Sequence, residues 1–174
     1  MAQAMKLPVA LALVVGIVGG IITWLYVGPL GSLGLVVPAT FIAAASFFAA
    51  GGDVPGLKRS LAANIWGIIW GTIALIFVGL VSSPVLVGVA VGGATLLMIL
   101  GALIPALDFV PGQVLGLATT AAFGLLTKAS GTDFSLPTGP FTVMLISFIV
   151  GAAYGYACSL LVGKLVASTS KAAA

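Results

Sequence analysis

The side chains of this chain that could take part in chemistry are mostly neutral amides and hydroxyls within apolar segments. A carboxamide surrounded by hydrocarbon must find a hydrogen-bonding partner or line water, and this applies to Asn64 and Gln113. A hydroxyl can bond a carbonyl of its own helix, so a single Ser or Thr is weaker evidence. These residues fit bonding between helices and a solute path equally well. The candidates are Thr40, Ser46, Asn64, Gln113, Thr119 and Thr120.

Catalytic machinery is not expected in this sequence. It contains no His and no Glu, and its single cysteine, Cys158, lies in an apolar run. These residues form no nucleophile triad, metal cluster or acid–base pair, and no glycine-rich loop continues into the Lys-Ser/Thr of a phosphate loop. We therefore expect no enzyme activity, no metal site and no cofactor.

Asp108 is the one carboxylate closely flanked by apolar segments. An Asp just before a helix accepts hydrogen bonds from free backbone N–H groups, so we expect Asp108 to cap the fifth helix. A binding site for a cation or a proton is the alternative.

The composition indicates a single integral membrane domain over residues 1–174. Of these residues 61% are hydrophobic and 5% are charged, whereas a soluble domain carries about 25% charged residues. The net charge of +3 comes from cations scattered over loops and ends, so we expect a lipid bilayer as partner and no nucleic acid.

Six apolar segments approach the roughly 20 residues that a helix needs to cross a bilayer. The breaks between them contain Gly, Pro, Ser and Asp, which favour turns. The sequence therefore predicts an all-α integral membrane protein with six transmembrane helices. The segments are Leu7–Val27, Leu33–Ala50, Leu61–Val81, Val85–Leu107, Val110–Thr127 and Phe141–Val166.

The cations of the loops and ends indicate the orientation of these helices. With six spans, both ends of the chain lie on one side together with the second and fourth loops. Lys128 is the single cation on the opposite side, and the excess of cations predicts that both termini are cytoplasmic. The other five cations are Lys6, Lys58, Arg59, Lys164 and Lys171.

The two halves of the chain resemble each other. A shift of 73 residues aligns Val37-Pro38 with Val110-Pro111, and after a longer loop a shift of 84 aligns Gly67 with Gly151. Because each half has three spans, the second half must enter the membrane from the opposite face. We therefore predict a 3+3 inverted repeat with halves at about 7–81 and 85–166, a plan found in many transporters.

Pro38 and Pro111 lie in the first turns of the second and fifth helices, where a missing N–H is tolerated. Alone, each proline marks only a helix start. Paired across an inverted repeat, they predict two helix N-termini that point inward from opposite faces and present partial positive charge.

Four pairs of glycines at four-residue spacing would let helices approach closely in lipid. Such faces can pack within one bundle or meet another subunit, and the sequence leaves both open; we expect a homo-oligomer formed through them. The pairs are Gly16/Gly20, Gly67/Gly71, Gly88/Gly92 and Gly151/Gly155.

Three stretches of small residues resemble the YcdZ-like family of bacterial inner-membrane proteins. They are Phe109-Val110-Pro111-Gly112 followed by Leu115-Gly116 and Ala118–Ala121, the stretch Gly151–Tyr156, and Gly52 with Gly56-Leu57-Lys58. The family is a domain of unknown function. The resemblance implies an inner-membrane location and about six helices, and it implies no substrate and no functional residues.

Two functions follow from these patterns. The first is a channel or facilitator for a small neutral or anionic solute, based on the repeat and the paired helix starts. The second is a structural subunit without transport activity that packs into a larger membrane complex through its glycine faces.

Overall fold

The computed structural model describes residues 5–173, and it is all-helical over that range. Five of its helices are long and apolar enough to cross a membrane, which suggests a membrane location. A proline stands at or near the first residue of each helix, where its fixed φ suits the helix and its missing N–H costs nothing. The helices are α1 (Leu7–Val27), α2 (Val37–Ala49), α3 (Val54–Leu80), α4 (Pro84–Leu100), α5 (Val110–Thr127) and α6 (Pro140–Ala173).

Helix α2 is shorter than predicted. It has 13 residues and is therefore about 20 Å long, which is less than the roughly 30 Å of a bilayer core. The prediction of a full-length span over Leu33–Ala50 is wrong, because residues 28–36 form an irregular connection that includes a 3₁₀ turn at Gly31–Leu33.

Three other boundaries also differ from the prediction. The segment Val85–Leu107 is not one helix, since α4 ends at Leu100 and two short 3₁₀ turns, Gly101–Leu103 and Pro105–Leu107, lead to α5. Helix α3 begins seven residues before the predicted Leu61, and α6 continues to Ala173. Cations at the ends of these helices lower the local hydropathy without interrupting the helix.

Two parallel helix pairs form the centre of the bundle. Asn64 lies beside Gly112 and Leu75 beside Gly124, so α3 and α5 run in the same direction. Helices α2 and α6 are also parallel, because the backbone N–H of Val36 donates to Ser147 Oγ (3.1 Å) and Ser159 donates to the Gly52 carbonyl (2.8 Å).

The two parallel pairs run in opposite directions. Helices α2 and α3 are antiparallel because the short connection 50–53 joins them and Ser46 bonds Asn64. Helices α2 and α5 therefore begin at opposite ends of the bundle. Helix α1 packs mainly against α6 and α4 against α3, so both lie at the periphery.

The main apolar core lies among α2, α3 and α6. Its centre consists of Ala39, Ala43, Ile68, Val143, Met144 and Phe148. The small side chains on α2 allow the larger ones on α6 to approach its backbone.

Candidate functional site

The start of α2 is tied to α1 and α6 through Thr40. Its hydroxyl lies 3.1 Å from the Tyr26 hydroxyl, 3.2 Å from the Ser147 carbonyl oxygen and 3.3 Å from the Val36 carbonyl oxygen. Thr40 is fully buried. Because the backbone N–H of Val36 reaches the side chain of Ser147, seven residues into α6, the start of α2 lies about 10 Å inside the end of its neighbour.

The start of α5 is recessed in a similar way beside α3. Gly112 lies against Ala63, which is nine residues into α3, so the first residue of α5 is again about 10 Å inside. Gln113 is fully buried one turn into α5, and its Nε2 donates to the Leu107 carbonyl oxygen (2.6 Å). Its Oε1 is buried and has no hydrogen-bond partner among the described residues.

Asn64 and Ser46 connect α3 to α2 near the same place. The Ser46 hydroxyl donates to Asn64 Oδ1 (3.0 Å), and both residues are fully buried. Asn64 Nδ2 is buried and has no partner among the described residues. Asn64 Oδ1 lies close to Gly112: a Cβ built on Gly112 would be 3.1 Å from this oxygen. We call Ser46, Asn64 and Gln113 the amide cluster: Ser46 bonds Asn64, and Asn64 packs against Gly112, the residue before Gln113 on α5.

The two neighbouring threonines of α5 differ in environment but bond alike. Thr120 is buried and donates to the Gly116 carbonyl oxygen (2.8 Å), and the half-buried Thr119 donates to the Leu115 carbonyl oxygen (2.7 Å). Each hydroxyl is thus satisfied by its own helix. Thr119 faces an apolar groove of about 470 Å³ between α2 and α5.

Both helix-start prolines are exposed, and Pro38 lines the same apolar groove. Pro111 lies at the other end of the bundle, because α2 and α5 run in opposite directions. The six polar candidates do not line one open path, since five of them have no exposed surface: Thr40, Ser46, Asn64, Gln113 and Thr120.

The inner glycine pairs bring helix backbones into direct contact. A Cβ on Gly67 would overlap the Gln113 carbonyl oxygen, and a Cβ on Gly151 would overlap the Thr40 carbonyl oxygen. Gly71 lies against Leu117 on α5 at a distance that leaves no room for a side chain. These contacts bring α3 against α5 and α6 against α2.

The outer glycine pairs have open space around them. No described atom lies within 4 Å of a Cβ built on Gly16, Gly20, Gly88 or Gly92, because these glycines lie on the outer faces of α1 and α4. The structure therefore separates the four pairs into two that pack within the bundle and two that are free to meet lipid or another chain.

Asp108 forms an ion pair and does not cap α5. Its Oδ1 accepts from Arg59 Nε (2.7 Å) and its Oδ2 from Arg59 Nη2 (3.2 Å), and about half of each side chain is exposed. The N-cap of α5 is Phe109, which makes no side-chain capping bond, and its ring lies 5.5 Å from the Arg59 guanidinium. The capping interpretation is wrong because Arg59 competes for the carboxylate.

The sequence did not predict several of the polar contacts in the loops. Asp53 caps α3 by accepting from the Gly56 N–H (2.7 Å), and an Asp placed two residues before a proline could have indicated this cap. In the loop 128–139, Asp133 accepts from the Ser135 and Thr138 hydroxyls (2.6 and 2.7 Å). These bonds lower the pKa of the Asp133 carboxyl, chiefly through Ser135. The sequence offered only weak evidence for the contact of Ser147 with the start of α2, because Ser147 is a single hydroxyl in an apolar helix.

The residues that the structure describes contain no group of three or more His, Cys, Asp or Glu side chains that could hold a metal ion. None of their charged side chains is buried. The chemistry available inside the bundle is therefore that of neutral hydroxyls, amides and backbone carbonyls.

These features define an all-helical protein whose long apolar helices suggest a membrane location and whose interior polar groups are neutral. The chain belongs to the family described as protein of unknown function (DUF1097), whose model matches residues 12–163. The expected membership of a family of unknown function is thus confirmed, while the YcdZ-like name and the bacterial origin stay predictions. No match to the chain is found among curated proteins or solved structures.

Proposed function

We propose that this protein is a membrane facilitator for a small solute, built from two inverted halves of three helices. The observation that carries the proposal is a pair of irregular connections, each containing Gly and Pro, at corresponding positions. Residues 28–36 lead into α2 and residues 101–109 lead into α5, and a shift of 73 residues superimposes one irregular segment on the other. Short or Gly/Pro-broken apolar segments at corresponding positions of two halves point to the binding site in many transporters.

The glycine contacts support the inversion independently. Gly67 touches Gln113 across α3 and α5, and Gly151 touches Thr40 across α6 and α2. The same shifts of 84 and 73 residues relate the two glycines and the two polar residues. A duplication that preserved its helix contacts would account for this agreement.

The recessed helix starts support a solute site. Helices α2 and α5 begin at opposite ends, and each directs partial positive charge into the bundle. Thr40 and Gln113 follow one turn later and are sealed from solvent. In the proposed role the described arrangement is the closed state, and a solute passes when the parallel pairs separate at these residues.

Further parts of the proposal concern the setting of the protein. It lies in a bacterial inner membrane with both termini cytoplasmic, supported by five cations on one side against Lys128 on the other. It forms a homo-oligomer, supported by the open glycines of α1 and α4. It is not an enzyme and needs no cofactor, supported by the lack of His and Glu in the sequence.

Flux measurements test the facilitator role. The full chain in proteoliposomes is exposed to gradients of urea, glycerol, formate, nitrate and ammonium, and vesicle volume is followed by stopped-flow light scattering. We expect flux of at least one probe above that of empty vesicles. No flux above empty vesicles for any probe would count decisively against a facilitator.

A pair of matched variants tests whether the solute passes the start of α2. Thr40→Val removes a buried hydroxyl that contacts three groups, whereas Thr95→Val removes an exposed hydroxyl that bonds its own helix. We expect a change in flux of about fivefold for the first and less than about twofold for the second, since one lost hydrogen bond is of the order of 1 kcal/mol. Equal effects would place the path elsewhere.

A structural subunit without transport activity is the second candidate. The burial of five polar candidates favours a structural subunit, because residues that only join helices need no access to solvent. Native purification in mild detergent separates the two. A stable complex with a different membrane protein supports the subunit, and a closed homo-oligomer supports the facilitator.

A further inference from the structure

Two buried amides near the start of α5 have unused hydrogen-bonding capacity. Asn64 and Gln113 have no exposed surface, and among the described residues Asn64 Nδ2 and Gln113 Oε1 lack any partner. Buried polar groups are normally paired, because an unpaired one loses its bonds to water and gains none in return. An unpaired group that persists in a packed bundle therefore needs an explanation.

The two amides occupy neighbouring positions where α3 packs on α5. Asn64 Oδ1 lies against Gly112, and Gln113 is the next residue along α5. The side chain of Gln113 turns back towards the helix start, since its Nε2 bonds the carbonyl oxygen of Leu107. Both amides thus belong to the recessed start of α5, where it meets α3.

The unused capacity is one donor and one acceptor. Asn64 Nδ2 can donate, while its Oδ1 already accepts from Ser46; Gln113 Oε1 can accept, while its Nε2 already donates. An anion would be repelled by the Gln113 oxygen, and a cation would be repelled by the Asn64 amide hydrogens. No charged side chain of the described residues is buried nearby to offset either repulsion.

We infer that the amide cluster is the solute-binding site and that its ligand is a small neutral molecule carrying both a hydrogen-bond donor and an acceptor, such as a carboxamide, a urea or a polyol. This inference rests on the proposed facilitator function and narrows its solute to one class. The ligand accepts from Asn64 Nδ2 and donates to Gln113 Oε1. It reaches them when the start of α5 moves away from α3.

Competition for flux tests the donor–acceptor requirement. Uptake of labelled urea into proteoliposomes is measured with excess acetamide or excess acetone, which have nearly the same shape. Acetamide has donors and an acceptor, whereas acetone has only an acceptor. We expect acetamide to compete and acetone not to compete. Equal competition by the two compounds overturns the inference.

Near-isosteric variants test the two amides. Gln113→Met and Asn64→Leu remove the unpaired groups, and Thr72→Val is the control, since Thr72 is buried on α3 with its hydroxyl bonded to the Ile68 carbonyl. We expect urea flux to fall about tenfold in each amide variant and by less than about twofold in the control. Wild-type urea flux in either amide variant overturns the inference.

The outcomes separate this inference from the facilitator function. Flux of nitrate or formate without flux of urea, acetamide or glycerol overturns the neutral-ligand inference and leaves the facilitator function standing. No flux of any probe overturns both the inference and the facilitator function.

Each variant is first checked for monodisperse elution. Gln113→Asn, which keeps the amide on a shorter side chain, replaces Gln113→Met if the latter does not fold. Gln113→Asn is then expected to lower urea flux, and unchanged flux overturns the inference.

Discussion

At the scale of residues, buried hydroxyls in this bundle have two distinct roles. Thr72 and Thr120 bond carbonyls of their own helices, so they satisfy themselves without reaching a neighbour. Thr40 and Ser46 reach other helices and thereby fix which helix faces meet. Hydroxyls that reach across an interface are the ones whose removal leaves a partner unpaired.

Residue type drew attention to the two amides but could not indicate the environments of the hydroxyls. Asn64 and Gln113 were predicted to need partners because a carboxamide is costly in an apolar segment, and both are buried at helix junctions. The environment of a Thr depends on the face that its helix turns inward, and an all-apolar helix gives no pattern from which to read that face. The sequence therefore could not predict that Thr119 faces a groove while Thr120 is buried.

The loop carboxylate Asp133 makes the stability of the 128–139 loop dependent on pH. Hydrogen bonds from Ser135 and Thr138 lower the pKa of Asp133 below its ordinary 3.8. The bonds therefore contribute fully above that value and are lost as the pH falls through the lower pKa of the folded protein. We expect Asp133→Asn to lower the melting temperature at about pH 7 and to leave the melting temperature unchanged in strong acid.

Thermal unfolding in detergent at a series of pH values measures this difference. Thr132→Val is the control, because Thr132 lies in the same loop and donates no bond to Asp133 in the structure. A difference between Asp133→Asn and the wild type that stays constant across the acid range would contradict the assignment.

At the scale of elements, hydropathy predicted where helices exist better than where they begin. The six apolar segments correspond to six helices because apolar length is the dominant signal for membrane helices. The second segment was predicted too long, since residues 33–36 are mostly apolar, like the helix they precede. The difference between helix and irregular backbone there depends on contacts with the loop before α6, such as Gly34 against Pro137, and these contacts are not local in sequence.

We predict that the inner glycines of α3 and α6 allow the helices of each parallel pair to pack closely. Gly67→Ala and Gly151→Ala place a methyl group against a backbone carbonyl of the neighbouring helix, whereas Gly79→Ala and Gly163→Ala on the same helices meet no described atom within 4 Å. We expect losses of about 1–3 kcal/mol for the first two variants and no loss for the second two. Alanine at the open positions adds helix propensity.

Unfolding of the four variants in detergent gives the comparison directly. The control in each pair lies on the same helix and carries the same substitution, so differences in helix propensity cancel. If Gly79→Ala destabilised the protein as much as Gly67→Ala, close packing of α3 on α5 would not be the reason for the glycine.

At the scale of the whole molecule, the proposed inverted plan would account for the likeness of the two peripheral helices. Helices α1 and α4 each pack on the outside of a long helix and keep glycines open to their surroundings. The sequence could suggest the bundle and the repeat, but it could not assign which glycines face inward. That assignment requires the pairing of α3 with α5 and of α2 with α6, which joins segments far apart in the chain.

The proposed inverted plan also predicts which loop cations lie on which side of the membrane. Lys58 lies near the start of α3 and Lys128 directly follows α5, and because α3 and α5 are parallel these cations stand at opposite ends of the bundle. Single cysteines at these positions, introduced after Cys158→Ala, can be labelled with a membrane-impermeant maleimide in intact cells. We expect Lys128→Cys to react in intact cells, and Lys58→Cys and Lys171→Cys to react only after permeabilisation, because cations are retained on the cytoplasmic side. Reaction of Lys58→Cys and Lys128→Cys from the same side would mean that α3 and α5 do not cross the membrane in parallel, and the two-halves plan would then have to be abandoned.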